Sequence, residues 1–216
     1  MTDIPFTPEA IYFDTNPLIA AGWPTPSAQL LQLMNQAEKL GFPLCLPEIV
    51  NQELEGHWLR ATVEDWTTAN AKIDQLNKRG RSIAIFERLA PLPGEDELRN
   101  RVAQLASNFT ARFKIVPITS RSLQEFVTLA IERGATFKDE GRGFQDAVIL
   151  CSVLDEMIAN QLGAAVLVTQ DAAFGSGSAN KLINSAGVVL KIVSTLDDLE
   201  QFLQGYFTAF VREYLR

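Results

Sequence analysis

Residues 10–17 read Ala-Ile-Tyr-Phe-Asp-Thr-Asn-Pro, and the fold is decided by this stretch. Its first four residues form a short apolar run, which indicates a buried strand. The polar segment from Asp14 to Pro17 ends in proline and predicts the loop at the C-terminal end of that strand. The kind of sheet that this strand enters depends on the pattern in the rest of the chain.

Strands and helices alternate along most of the chain. The apolar pattern predicts further strands at residues 42–46, 114–118, 164–169 and 188–193. Helices are predicted at 26–40, from Pro47, at 122–133, at 144–160 and from about Thr195, with Asp198 as its capping-box partner. This alternation predicts an α/β fold whose parallel sheet is covered by helices on both faces.

Residues 60–113 interrupt the alternation. They carry a helical pattern, divided by residues 91–94 (Pro-Leu-Pro-Gly), with Leu98, Val102, Leu105 and Phe109 at helical spacing. The chain has no internal repeat and no low-complexity linker. We therefore expect a single domain over residues 1–216, with a helical elaboration at about 60–113.

Composition limits the class of protein. The 216 residues are 47% apolar and 21% charged, which suits one globular domain. No apolar run approaches the roughly 20 residues of a membrane span, and the N-terminus lacks the pattern of a secretory signal. Cys45 and Cys151 lie in apolar stretches, as reduced buried thiols do. These features predict a cytoplasmic protein.

Asp14 and Asp171 each follow a predicted strand. Ligands bind at the carboxyl ends of the strands in a parallel α/β sheet, so two acids at that edge suggest a binding site. The alternative is that each acid caps the helix that comes next.

Glu53 lies inside the apolar arc of its predicted helix, together with Ile49 and Val50. An isolated ionised carboxylate is costly to bury, so an inward glutamate needs a partner or a cation. The alternative is a local hydrogen bond to His57, one turn later on the same stripe.

Asp146 begins a helix that is apolar nearly all round. The polar sector of that helix holds Gln145, Ser152 and Glu156, whereas Asp146 falls between Val153 and Met157. The alternative is an acid in the first turn that stabilises the helix dipole.

A convergence of these four acids would call for a cation. Neighbouring carboxylates raise one another's pKa, and a divalent ion removes that conflict. Oxygen ligands without histidine or cysteine clusters favour Mg²⁺ or Mn²⁺. Such ions clamp the attacking and leaving oxygens of a phosphoryl displacement, which is nuclease chemistry.

Four blocks of sequence resemble the PIN-domain nucleases. They are residues 11–16 (Ile-Tyr-Phe-Asp-Thr-Asn), 46–54, 143–150 and 168–174, in the order of that family. The resemblance implies a three-layer α/β/α, Rossmann-like fold and metal-dependent cleavage of phosphodiester bonds, most often in RNA and by an endonuclease. It implies four catalytic, metal-binding acids, namely Asp14, Glu53, Asp146 and Asp171, with Asn16 and Thr169 as polar supports.

The chain departs from the family pattern in two places. The fourth block often carries a second acid two residues after the first, and Ala173 stands there in this chain. The chain is also longer than the compact toxins of toxin–antitoxin pairs. The partners that the resemblance suggests are RNA or single-stranded DNA, with a second copy or an antitoxin-like protein.

Other functions remain alternatives. A haloacid-dehalogenase phosphatase requires an aspartate where Asn16 stands, and no glycine-rich phosphate loop follows the first strand. The main alternative is a non-catalytic PIN-like module that binds RNA or a protein. The last helix supports an interaction role through Phe202, Tyr206, Phe207, Phe210 and Tyr214, although docking of this helix on the sheet explains these residues too.

The charge is unevenly distributed. The net charge of −7 speaks against nucleic acid, yet residues 60–121 hold 11 of the 19 basic residues and 7 of the 26 acids, a net charge of +4. Lys78, Arg79 and Arg81 lie in this region and could hold a phosphate backbone. The alternative is an ordinary solvated helix face.

Overall fold

A parallel sheet forms the centre of the molecule. The computed structural model describes residues 6–79, 87–137 and 143–214. In these ranges the sheet has five strands in the order β3-β2-β1-β4-β5, with every neighbouring pair parallel. The strands are β1 (Ile11–Phe13), β2 (Leu44–Pro47), β3 (Lys114–Val116), β4 (Ala164–Val168) and β5 (Val189–Val193). The predicted parallel sheet is confirmed.

Helices flank the sheet and complete three α/β/α layers. They are α1 (Thr15–Ala20), α2 (Ala28–Lys39), α3 (Glu48–Arg79), α4 (Glu95–Thr110), α5 (Leu123–Ile131), α6 (Phe144–Ala159), α7 (Gly177–Ser185) and α8 (Leu196–Tyr214). A 3₁₀ turn (Ala172–Gly175) precedes α7. Helix α2 packs against α8, whereas α6 packs against β2, β3 and α5. None of the described helices is both long and apolar enough to cross a membrane.

The apolar sequence runs occupy the middle of the sheet. Strands β1 and β2 are buried along their whole length, and β4 is buried after Ala164. The edge strands β3 and β5 expose several residues, because each has a neighbour on one side only. Cys45 and Cys151 are buried free thiols, as predicted.

The segment after β1 is a helix rather than the predicted loop. Helix α1 begins at Thr15, and the Asp14 side chain caps it. Pro17 is the third helical residue, a position where the missing N–H leaves no intrahelical hydrogen bond unmade. The proline therefore did not mark the end of regular structure here.

The range expected as a helical elaboration, about 60–113, holds the later part of α3, which runs unbroken for 32 residues, and α4. The helix pair packs together. Leu98, Val102 and Phe109 of α4 are buried as the spacing predicts, but Leu105 is 54% exposed. The expectation for Leu105 is wrong because the small side chain of Ala106 faces the core at that level.

Only part of the predicted polar sector of α6 faces water: Gln145 is exposed, whereas Ser152 and Glu156 are covered. Ser152 is buried; its hydroxyl donates to the carbonyl of Val148 at 2.8 Å and accepts from the amide of Thr119 at 2.9 Å. Glu156 pairs with Lys114 at 2.6 Å. The segment after β3 thus covers this side of the helix.

Helix α8 begins with the predicted capping interaction. The amide of Thr195 donates to the Asp198 carboxylate, and the amide of Asp198 donates to the Thr195 hydroxyl, both at 3.0 Å. Phe202 and Tyr206 are half-buried and pack against other rings, which favours docking as their role. The side chains of Phe207, Phe210 and Tyr214 lie outside the described residues.

Candidate active site at the switch point of the sheet

The strand order reverses between β1 and β4. Strands β2 and β3 lie on one side of β1, and β4 and β5 lie on the other. In open α/β sheets, ligands bind beyond the carboxyl ends of the strands at such a switch point. Asp14 follows β1 and Thr169 follows β4, so both residues stand at this position.

Asp14 is fixed by the start of α1. Its backbone amide donates to the carbonyl of Val168 at 3.0 Å, which continues the pairing of β1 with β4. Its Oδ1 accepts from the amide of Thr15 at 2.7 Å, so the carboxylate caps the helix. The residue is only 4% exposed. Asp14 therefore caps a helix, which was the alternative considered from the sequence, and it is also a buried acid at the edge of the sheet where ligands bind.

Thr169 links two of the predicted acids. Its Oγ1 donates to Asp14 Oδ2 at 2.6 Å and accepts from the amide of Asp171 at 3.1 Å. Asp171 is half-buried, and its Oδ1 accepts from the amide of Ala173 at 2.7 Å as the cap of the 3₁₀ turn. Asp171 thus also fills the capping role that the sequence left open.

Glu53 reaches the same edge from α3. Its Oε2 accepts a hydrogen bond from Thr15 Oγ1 at 2.5 Å, and Thr15 is itself buried. Among the described residues, the side-chain hydrogen bond of Glu53 thus goes to Thr15 and not to His57, the local partner that was the alternative, and His57 is exposed. The helical periodicity places His57 on the inward side of α3. The next buried residue of the helix is instead Leu59, which lines a groove between α3 and α4.

Asp146 lies in the first turn of α6 and is half-buried. Gly143 precedes the helix with φ +93°, and a Cβ atom there would lie 2.4 Å from the carbonyl oxygen of Thr136. Glycine is therefore required for the chain to enter α6 at this place. Helix α6 packs against α3, which carries Glu53, and against the 3₁₀ turn, which Asp171 caps.

The electrostatics of Asp14 show that acids approach it. Burial raises the pKa of the Asp14 carboxyl above its ordinary value, and the hydrogen bonds from Thr169 and Thr15 oppose that effect. The charges of Glu53 and Asp171 raise the pKa further. The charges of two predicted acids, Glu53 and Asp171, therefore act on a third, Asp14.

The predicted acids do not form a ready-made metal centre among the described residues. In the described ranges, no group of three or more His, Cys, Asp or Glu side chains stands ready to hold a metal ion. Threonine or amide donors bind Asp14, Glu53 and Asp171 instead. The hydrogen-bond donors to Asp14 are neutral, so they leave the negative charge of its carboxylate uncompensated. Carboxylate oxygens are ligands that suit Mg²⁺ or Mn²⁺.

The other predicted residues are scattered. Asn16 is exposed in the first turn of α1 and makes no side-chain hydrogen bond to another described residue. Lys78 and Arg79 end α3, about 38 Å along the helix axis from Glu53 at 1.5 Å per residue. Arg81 lies outside the described residues.

Two further residues were not predicted from the sequence: Thr15, which binds Glu53 at this edge, and Arg60, which lies farther along α3. Arg60 stands seven residues after Glu53, on the same face of α3. A Cβ atom on Gly56 would lie 3.4 Å from Arg60 Nη1, so the guanidinium lies over Gly56, one turn earlier, and both residues line the groove between α3 and α4. Arg60 makes no ion pair within the described ranges. The seven-residue spacing was a signal that could have identified it.

Comparison with known proteins gives one match. The family model described as the PIN domain matches residues 11–174, about three quarters of the chain. The match covers the range of the four sequence blocks, which confirms that resemblance. No curated protein and no solved structure matches this chain.

Proposed function

This chain belongs to the PIN-domain family, and we propose that it is a divalent-metal-dependent nuclease that hydrolyses phosphodiester bonds in RNA as an endonuclease. The observation that carries the proposal is the buried Asp14 at the switch point of the sheet. The charges of Glu53 and Asp171 act on this carboxyl, and its hydrogen-bond donors are neutral. An acid in that setting is suited to binding a cation.

Mg²⁺ or Mn²⁺ would be held by Asp14, Glu53, Asp146 and Asp171. When bound, the ion would polarise the phosphodiester and stabilise the charge that develops during displacement. The chain's own contribution is to hold the acids in place. Thr169 orients Asp14, and Thr15 orients Glu53. Such supporting hydrogen bonds fix how a carboxylate presents its oxygens to a metal.

Arg60 supplies a positive charge for the substrate. Its guanidinium reaches over Gly56 on the face of α3 that carries Glu53. A phosphate next to the one being cleaved could pair with it, since guanidinium groups match phosphate geometry. Lys78 and Arg79 stand farther along α3 and would meet only a more distant part of a bound strand.

A second candidate is a PIN-like module that binds RNA without cleaving it. The observation that favours it is the lack, among the described residues, of three acids arranged to hold a metal. In that case Asp14 and Asp171 act only as caps of α1 and the 3₁₀ turn. The two candidates differ in whether metal binding and cleavage depend on the acids.

The test is incubation of the purified protein with mixed RNA and single-stranded DNA in Mn²⁺. The nuclease proposal predicts cleavage of RNA that falls by about 100-fold or more in Asp14→Asn. Asp65→Asn, which changes an exposed acid of α3, is the matched control and should cleave normally. Cleavage that persists in Asp14→Asn would indicate a contaminating enzyme, and RNA binding without cleavage would favour the second candidate.

A further inference from the structure

A cavity of about 330 Å³ adjoins the predicted acids at the carboxyl edge of the sheet. It is lined by α1, the start of α2 and the segments that follow β4 and β5. Gln170 lines the cavity and stands between Thr169 and Asp171 in the chain, so its Cα atom is about 3.8 Å from each of theirs. A strand of RNA with one phosphate at the acids would therefore bring a neighbouring nucleotide to this cavity. We call it the Gln170 cavity.

The size and the apolar wall of the Gln170 cavity suit a small flat group. The apolar lining residues are Pro17, Ala20, Ala21 and Leu196. Pro17 and Ala21 are buried, so the core holds this part of the wall in place. The volume lies at the lower end of the roughly 300–1,000 Å³ of small-molecule sites, which combine apolar walls with a few polar groups.

The hydrogen-bonding groups of the cavity are mostly acceptors. Gln29 Nε2 donates to Asp197 Oδ1 at 2.6 Å, which leaves Asp197 Oδ2 and Gln29 Oε1 without a donor among the described residues. Gln170 is exposed and makes no side-chain hydrogen bond within the described ranges, so its amide is free both to donate and to accept. Ser27 and Thr195 use their hydroxyl oxygens to cap α2 and α8.

The charge of the cavity excludes a phosphate as its occupant. No basic residue is among the described residues that line it. Asp197 brings a negative charge, and the neighbouring Asp198 carboxylate is bound by the amide of Thr195. An anionic group would be repelled here, so the part of a nucleotide that fits is the uncharged base. Bases of single-stranded RNA are read by hydrogen bonds to their Watson–Crick edges.

Guanine is the base whose edge best matches these acceptors. It presents two donors, the ring N1–H and the N2 amino group, beside one acceptor, O6. Adenine and cytosine present one amino donor on that edge, and uracil presents one ring N–H. The free oxygens of Asp197 and Gln29 would accept from the two guanine donors, and the Gln170 amide would donate to O6.

We propose that the Gln170 cavity binds a guanine beside the scissile bond, so that the chain cleaves RNA next to guanine. This inference rests on the proposed function, because it requires that the acids hold the neighbouring phosphodiester. Gln170 and Asp197 are then specificity-determining residues, which select the base and take no part in the cleavage step.

Mapping the cut ends of a random-sequence RNA in Mn²⁺ tests the preference. In the wild type, guanine should be enriched about 10-fold or more over uracil at one position beside the cut, as expected for well-placed base contacts. Gln170→Met keeps the length of the side chain and removes its amide, so the enrichment should fall toward one. Gln124→Met makes the same change at an exposed position of α5 and should keep the enrichment.

Asp197→Asn is a second variant with a separate readout. It removes the negative charge and keeps an oxygen that accepts from Gln29, so the start of α8 retains its contact with α2. Inosine lacks the N2 amino group of guanosine. Replacing the guanosine of a cleaved oligonucleotide by inosine should slow the wild type by about 5-fold or more and change the Asp197→Asn rate much less.

RNA binding separates a failure of this proposal from a failure of the nuclease proposal. Fluorescence anisotropy without added metal compares a uridine oligonucleotide of about ten residues with the same oligonucleotide carrying one central guanosine. If the wild type cleaves no RNA, the nuclease proposal fails. Tighter binding of the guanosine oligonucleotide that is lost in Gln170→Met would still support the cavity.

Two results would overturn the proposal. One is cleavage by the wild type with no guanine preference beside the cut, or with a preference that Gln170→Met retains in full; the nuclease proposal then stands without it. The other is equal affinity of the wild type for the two oligonucleotides in the absence of cleavage.

Discussion

Thr169 donates its hydroxyl proton to Asp14 across the switch point of the sheet, with 2.6 Å between the two oxygens. The same hydroxyl accepts the amide proton of Asp171. One threonine at the end of β4 therefore fixes the carboxylate at the end of β1 and the backbone of the next predicted acid. A hydroxyl in this position can donate and accept at once, which a methyl group cannot.

Thr169→Val should weaken both the fold and the site. The substitution removes the hydroxyl that donates to the buried Asp14 carboxylate and accepts from the Asp171 amide, so the free energy of unfolding should fall by about 1–3 kcal/mol. Affinity for Mn²⁺ should fall by about 10–100-fold, as for other residues that support metal ligands. Urea unfolding and calorimetric titration measure the two effects. Thr169→Ser keeps the hydroxyl and should restore both; a valine variant equal to the wild type would contradict this role.

Arg60→Gln should weaken RNA binding uniformly over sequences. If Arg60 contacts a phosphate, the slope of log affinity against log salt should fall by about one. Fluorescence anisotropy with single-stranded RNA and no added metal measures binding apart from cleavage. Arg101→Gln is the matched control, because Arg101 is exposed on α4 and paired with Glu97 at 2.5 Å. Equal salt slopes for the Arg60 variant and the wild type would remove Arg60 from the binding surface.

Gly143→Ala should destabilise the entry into α6. The left-handed backbone there strains any other residue, and a Cβ atom would meet the Thr136 carbonyl oxygen at 2.4 Å. We expect a loss of about 2 kcal/mol or more in chemical unfolding. Gly41→Ala shares the positive φ, at +77°, but has open space around it, so it should lose less. Equal losses would show that the close approach to Thr136 has no effect.

The two cysteines should be unreactive in the folded protein. Burial raises the pKa of both the Cys45 and the Cys151 thiol to about 11. At pH 8 only about one thiol in a thousand is then ionised, and thiolate is the reactive form. A chromogenic disulfide reagent should modify neither residue at pH 8 and both residues in denaturant. Fast reaction in the native state would mean that at least one thiol is accessible.

The sheet and the acids at its edge could be predicted because both depend on short stretches of sequence. Asp14 directly follows an apolar run, and the end of a strand is also the start of the loop that forms the site. The inward orientation of Glu53 could be predicted from the helical periodicity, because the core covers the first two turns of its helix. In each case the local pattern and the tertiary environment agree.

The contacts that hold the acids could not be predicted, because they join distant parts of the chain. Thr15 lies 38 residues from Glu53, and Thr169 lies 155 residues from Asp14. No periodicity relates such positions. Ser152 shows the same limit. Its hydroxyl is buried and accepts a hydrogen bond from the amide of Thr119, which lies in the segment after β3. Helical periodicity gives the relative directions of the side chains on one helix, but it does not show which parts of the chain cover each side.

A titration of Mn²⁺ against thermal unfolding tests most directly whether the acids form a metal site. At about 100 times the dissociation constant, the wild type should gain about 2.7 kcal/mol, which corresponds to several degrees in Tm. Asp146→Asn should not respond, and Asp65→Asn should respond like the wild type. If the wild type shows no shift with Mn²⁺ or Mg²⁺, or if Asp146→Asn shifts as much as the wild type, the four acids do not act together as a metal site.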